Sequence, residues 1–249
     1  MAGHSKWANI KHKKAAVDNK RGKLWSKLAR NIIVAAKTGG GDPSTNLTLR
    51  YAIDKAKEAN MPNDTIDKAI KKGTGELGGE EYQSASYEGY APGGVALIVE
   101  ALTDNPNRTA PEIKRIFERA GGNLGAPNCV SWNFATKGVF TVDPADADEE
   151  TLMEIAIDAG AEDVKPVDDM FEIICEVESF AAVREALNEK NIRTQTGEIT
   201  KIPGTTVTVD AETGARILRL IESFEDHDDV QNVYANFDMP EEVMAQMGG

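Results

Sequence analysis

The chain has 249 residues, 41% of them hydrophobic, with 28 Lys and Arg against 41 Asp and Glu, a net charge of −13 at neutral pH. That length allows one large domain or two to three small ones with real cores, and the content excludes global disorder. The longest strongly apolar stretches, 32–36 and 95–99, are far too short to cross a bilayer as a helix.

In chain order, a basic start comes first. Nine lysines and arginines and a single acid, Asp18, fall in the first thirty residues. Through Lys72 there are 16 basic and 6 acidic residues, a net of +10, against 12 basic and 35 acidic thereafter, a net of −23. Residues 1–20 have too few apolar side chains to pack, so this stretch is expected to order only on meeting a partner. Leu24, Leu28, Ile32 and Ala35 then recur at helical spacing, and Gly39-Gly40-Gly41 ends the run. At about 100° per residue, Lys23, Lys27, Arg30 and Lys37 fall away from that stripe. A second helix carries Leu49, Ile53 and Ala56 and stops at Met61-Pro62, because a residue before proline disfavours helical backbone. Asn63 caps a short third helix with Ile66, Ala69 and Ile70 inside, closed by Gly73.

Residues 73–79, with four glycines in seven, read as a hinge. Beyond it, strands alternate with helices. Residues 95–102 form a buried strand, and Thr109 with Glu112 reads as a capping box for a helix burying Ile113, Ile116, Phe117 and Ala120. Residues 129–134 and 139–142 read as strands, followed by a helix with Leu152, Ile155, Ala156 and Ala159 that ends at Gly160. Residues 171–175 form a strand, and a helix starting at Ser179 buries Val183, Ala186 and Leu187. The stretch 205–209 leads into a helix with Ile217, Leu218 and Ile221, and a last strand alternates through Val233, Ala235 and Phe237. Helices of about a dozen residues between short strands indicate an α+β fold of the split βαβ, ferredoxin-like kind behind the helical N-terminal domain.

The basic start has no apolar segment behind it, so a secretory signal is not expected, and lysine over arginine with sparse serine fits a mitochondrial presequence poorly. Cys129 and Cys175 stand far apart with no CxxC, and read as buried reduced thiols of a cytoplasmic protein.

Residues 1–14, Met-Ala-Gly-His-Ser-Lys-Trp-Ala-Asn-Ile-Lys-His-Lys-Lys, resemble the opening signature of the YebC family. The likeness continues through residues 89–105 and Asn107-Arg108-Thr109, returns at residues 121–125 and Val130-Ser131-Trp132, and effectively spans the chain. This chain has Ala91 where the family pattern usually has glycine, and Pro106 where it usually has a basic residue, which removes one charge from a loop that the resemblance offers for phosphate contact. The resemblance implies three domains: residues 1–78, a middle α+β domain of 79–136 with 205–249, and an inserted α+β domain of 137–204. It also implies a regulator of gene expression, since the family has been described both as transcriptional regulators and as translation factors in bacteria and mitochondria.

The strongest functional signal in the residues themselves is the basic start. Lysine and arginine bind phosphates through charge and counterion release, and an exposed aromatic can stack on bases. The candidate nucleic-acid-binding set is Lys6, Trp7, Lys11, His12, Lys13, Lys14, Lys20, Arg21, Lys23, Lys27, Arg30 and Lys37, with Trp25 assigned to the helical core. Arg108, Lys114, Arg115 and Arg119 form an accessory set, beside the alternative of a helix surface partly neutralised by Glu112 and Glu118. Gly73, Gly75 and Gly78 match the dinucleotide fingerprint spacing, but they follow a helix and precede a strand, the reverse of the required order. His227 among Glu225, Asp226, Asp228 and Asp229 reads as a solvated turn, and the acids of 143–169 as a solvent-facing surface. No cofactor, metal site or nucleophile–base pair is indicated, so the expectation is a non-enzymatic protein. Its expected partner is DNA, as a transcriptional regulator. The alternative is ribosomal RNA, as a ribosome-associated factor relieving stalls at difficult, proline-rich sequences.

Overall fold

The computed structural model describes residues 19–78, 81–167 and 169–239. In chain order the helices are α1 (Asn19–Gly39), α2 (Leu47–Glu58), α3 (Asn63–Gly73), α4 (Pro106–Arg119), α5 (Glu149–Asp158), α6 (Phe180–Glu189) and α7 (Ala211–Glu225). The strands are β1 (Gln83–Ala91), β2 (Val95–Thr103), β3 (Asn123–Leu124), β4 (Phe134–Val142), β5 (Ala161–Val167), β6 (Met170–Cys175), β7 (Thr194–Pro203), β8 (Val207–Thr208), β9 (Val230–Ala235) and β10 (Phe237–Asp238). They form two compact units, one holding the described chain up to Cys129 with Ala215–Val233, the other holding Val130–Gly214 and the residues from Tyr234.

In the first unit, Leu28, Ile32 and Ala35 of α1 join Leu49, Ile53 and Ala56 of α2 and Ile66 and Ala69 of α3 in one core cluster. Leu24, expected in that stripe, is 46% exposed, one turn before the stripe meets its neighbours. Asn46 joins α1 to α2. Its amide donates to the Ala35 carbonyl at 2.8 Å, while its oxygen accepts from the Leu49 N–H at 3.0 Å and caps the second helix. The third helix is entered differently from the expectation: Pro62 occupies the cap position without a side-chain cap, and Asn63 is already helical.

Beyond the hinge, β1 and β2 pair as an antiparallel hairpin turned through Gly93 (φ 80°) and Gly94 (φ 75°), a conformation that favours glycine at both places. They are the central strands of a sheet in the order β3-β1-β2-β9. β2 is buried along nearly its whole length, and α4 packs over β1 and β3. Phe117 of α4 meets Phe224 of α7 edge to face, ring centroids 4.8 Å apart. The start of α4 corrects the expected capping box: Asn105 is the N-cap, accepting from the Arg108 N–H, Pro106 follows it, and Thr109 lies buried inside the helix.

The second unit contains the sheet β5-β6-β4-β7, antiparallel throughout. Its chain order β4-α5-β5-β6-α6-β7 is the split βαβ arrangement expected from the alternating pattern. Phe180 of α6 stacks on Phe140 of β4 at 4.6 Å, and α5 lies beside α6 and over β5, so both helices cover one face. Residues 129–134 are not a strand: Ser131–Asn133 is a single 3₁₀ turn, and β4 begins at Phe134. The acidic stretch 143–169 contains α5 and the edge strand β5, whose charges and Pro166 conceal it in the sequence. β8 and β10 add a short parallel pair.

Candidate nucleic-acid interface

The cationic side of α1 faces the turn between α7 and β9. Lys27 Nζ donates to the Glu225 carbonyl at 2.6 Å and Lys23 Nζ to the Asp226 carbonyl at 3.3 Å. These are acceptors left open where α7 ends, and cations there also complement the negative end of the helix dipole. Arg30 donates to the Asp228 carbonyl and lies 3.3 Å from Asp229 Oδ1.

Asp229 organises the site. Its side chain is 3% exposed, and its other oxygen accepts from Arg108 Nη2 at 2.7 Å and from the Thr109 hydroxyl at 2.8 Å. Thr103 Oγ1 sits 2.7 Å from Thr109 Oγ1 and accepts the Asn105 N–H at 2.9 Å, extending the network to the end of β2. Burial alone would raise the Asp229 carboxyl, but the hydrogen bonds from Arg108 and Thr109, with the charges of Arg108 and Arg30, hold it below the usual carboxylate range. It is therefore ionised at neutral pH and fixes two guanidinium groups.

His227, expected in a solvated turn, has a side chain only 13% exposed. Its Nδ1 accepts the Asp229 N–H at 3.1 Å, and its Nε2 lies 2.9 Å from Glu112 Oε2. An acceptor at Nδ1 places the ring hydrogen on Nε2, where it is donated to Glu112. Glu112 therefore serves to orient His227.

The result is a groove of about 530 Å³, lined chiefly by Lys23 and Arg30 from α1, Arg108, Arg115 and Arg119 from α4, and the 226–229 turn. Arg115 and Arg119 project one helical turn apart and have no ion-pair or hydrogen-bond partner among the described residues. Two sets of cations that the sequence separates by some eighty residues thus line one surface. Lys37 and Lys114 stand apart from it, in exposed pairs with Glu81 at 3.5 Å and Glu118 at 3.7 Å. Trp25 sits in the helical module, its indole N–H donating to the Ala59 carbonyl at 3.0 Å. Lys20 and Arg21 lie on α1, with side chains that are not described, and Lys6, Trp7, Lys11, His12, Lys13 and Lys14 fall outside the described residues. Sequence reasoning missed Asp229 as the hub; the only local sign was an acidic cluster, 225–229, between a helix and a strand.

A helical module joined to an α+β sheet, with a cationic groove built around one buried carboxylate, and a ferredoxin-like unit define an α+β protein in which no helix among the described residues is long and apolar enough to cross a membrane. The N-terminal domain of TACO1/YebC proteins matches residues 5–76, and the second and third domain of TACO1/YebC matches residues 82–237. The chain belongs to the TACO1/YebC family. It is 57% identical over 247 residues to a "probable transcriptional regulatory protein" of Natranaerobius thermophilus, covering 98% of this chain and 99% of the relative. A protein of the same name from Dictyoglomus turgidum is 53% identical over 248 residues, covering 99% and 100%. The crystal structure of a conserved hypothetical protein from Aquifex aeolicus superposes with a TM-score of 0.85 at 49% identity, covering 95% of this chain and 98% of that one. The name shared by the two relatives is that of a regulator rather than an enzyme.

Proposed function

We propose that this protein is a cytoplasmic, non-enzymatic regulator of gene expression that binds nucleic acid through its helical module and the groove beside it. The observation that carries this reading is the groove itself. Lys23, Arg30, Arg108, Arg115 and Arg119 gather there and outnumber the acids Glu112, Asp226, Asp228 and Asp229 beside them, in a chain whose net charge is −13. Such local reversal of charge attracts a polyanion to one surface while the acidic remainder repels it. The relatives' name supports transcription as the process, and on that ground we take DNA as the target. The cations present donors suited to phosphates, which position a polymer without reading its sequence.

We read the domain boundaries as 1–78, 79–136 with 205–249, and 137–204, with the basic start and the groove acting together. The test is binding to a duplex DNA and to a ribosomal RNA fragment across a salt series. Reversing Lys11, Lys13 and Lys14 to glutamate should weaken binding and reduce the dependence of log K on log salt by about one per lost phosphate contact. An unchanged slope overturns the assignment. Tight RNA binding with co-sedimentation on ribosomal subunits, and none to promoter DNA, would move the process from transcription to translation.

A further inference from the structure

His227 presents a hydrogen-bond donor whose direction is fixed from behind. Its Nδ1 accepts the Asp229 N–H at 3.1 Å, so Nε2 carries the ring hydrogen on the opposite side, 2.9 Å from Glu112 Oε2. Both residues line the cationic groove of the first unit. The imidazole is held and largely buried, its side chain 13% exposed, whereas that of Glu112 is 48% exposed. A half-exposed carboxylate gives up such a bond at little cost, because water takes its place.

The surroundings of Glu112 are those of an anion site. It stands inside α4 with Arg108 one turn before and Arg115 one turn after it on the same face. Yet it pairs with neither arginine among the described residues: Arg108 bonds to Asp229 and Asp104, and Glu112 turns to His227. Two guanidinium groups and one oriented imidazole N–H therefore share a side of the groove. The acceptor placed among them is a movable side chain.

We propose that His227 is a phosphate-binding residue of the groove and that Glu112 is an internal stand-in for the phosphate. A phosphodiester oxygen arriving between Arg108 and Arg115 takes the Nε2–H, and the Glu112 carboxylate swings out to solvent. One charge-assisted hydrogen bond is broken and one is formed, so the net gain comes from the arginines. Glu112 thereby competes with every polyanion that enters, and its removal tightens binding. This inference rests on the nucleic-acid reading of the groove and deepens it by naming the contact. DNA and RNA offer the same oxygen.

The experiment is an anisotropy titration of the full chain with thymidine and uridine homopolymers, arranged as a double-mutant cycle. Glu112→Ala removes the stand-in from an exposed helical position that tolerates alanine. Asp226→Ala is the charge control: it removes one negative charge from the same groove, and its carboxylate has no described contact with His227. Glu112→Ala should bind at least about threefold more tightly than Asp226→Ala. His227→Asn keeps an acceptor for the Asp229 N–H and drops the Nε2 donor. In the Glu112→Ala background it should weaken binding about tenfold, the worth of one charge-assisted hydrogen bond. With Glu112 present the loss should be at most about threefold, because there one bond merely replaces another. Coupling on either polymer supports the proposal, and the polymer that shows it identifies the source of the phosphate. Equal gains from Glu112→Ala and Asp226→Ala overturn it without any change at His227, as do independent effects in the cycle. If reversing Arg115 and Arg119 to glutamate leaves binding unaltered, the nucleic-acid reading of the groove fails. If that reversal weakens binding while the cycle is additive, only the stand-in fails.

Discussion

Replacing Asp229 with asparagine tests whether one buried carboxylate holds the first unit's groove together. The substitution keeps the shape and an acceptor for the Thr109 hydroxyl, and removes the charge that Arg108 and Arg30 share. Breaking a fully buried ion pair costs about 3–5 kcal/mol, but the Arg108 side chain is 44% exposed and that of Arg30 19%, so both can recover water. The charge-assisted hydrogen bond from Arg108 sets the remaining loss, and about 2 kcal/mol is expected at pH 7. For a unit of this size that corresponds to a fall in Tm of about 4–8 °C. Because the folded carboxyl lies below its unfolded value, its contribution is fully present above about pH 4. It is lost as the pH falls through the folded value. Urea unfolding at pH 7 and again near pH 3 should therefore show the difference between wild type and Asp229→Asn shrinking in acid. A difference below about 0.5 kcal/mol at pH 7, within the range of ordinary surface changes, would show that the carboxylate is not the hub described.

Charge reversal of Arg115 and Arg119 together should leave the unfolding midpoint unchanged, since neither has a partner among the described residues, while weakening nucleic-acid binding about tenfold or more and lowering the salt slope by about two. Unaltered binding in an anisotropy titration would remove α4 from the interface. Gly138→Ala would drive a Cβ to 2.6 Å from both Cys175 Sγ and Phe180 Cδ2, so a loss of about 1–3 kcal/mol is expected in urea unfolding; an unmoved midpoint would contradict the packing of α6 on β4. Burial, with the charges of Glu162 and Glu176, pushes the Cys175 thiol up to about 11. At pH 8 a thiol reagent should therefore label the half-buried Cys129 first and Cys175 only after unfolding, and prompt labelling of both would refute the buried assignment.

The parts of the fold legible in the sequence are those with a strong period. Leu28, Ile32 and Ala35 announce α1, and the continuous run at β2 announces a buried strand. β5 and β7 were not legible. Both are edge strands rich in charged and threonine residues, and β5 contains a proline, so neither shows the alternation that marks a half-buried strand. At α4 two start signals compete, and Asn105-Pro106 is stronger than Thr109 with Glu112, because proline is preorganised for the first helical position. The cations of the site could be identified by type but not placed. Asp229 is indistinguishable from its exposed neighbours Asp226 and Asp228 until Arg108 and Thr109, 121 and 120 residues away, close over it. Burial of that kind is a long-range property with no local periodic trace.

Asp229 also bears on how the groove would bind a polyanion, because two effects of removing it have opposite signs. Loss of one negative charge raises the local positive charge, and one unit charge about 4 Å away in water is worth about 1 kcal/mol before salt screening. Against this, the carboxylate holds Arg30 and Arg108 in place, the partly exposed Asp104, 3.0 Å from Arg108 Nη2, being too weak a partner to fix that guanidinium alone, and an arginine that must be ordered on binding costs about 0.5–1.5 kcal/mol, or about 2 kcal/mol for the pair. Preorganisation therefore exceeds attraction by about 1 kcal/mol, and Asp229→Asn should bind nucleic acid about fivefold more weakly despite being more positive. The deficit should widen as salt screens the added charge. Tighter binding by the variant at physiological ionic strength would mean that the two arginines do not contact the polymer at all, leaving the groove's function to Lys23, Arg115 and Arg119.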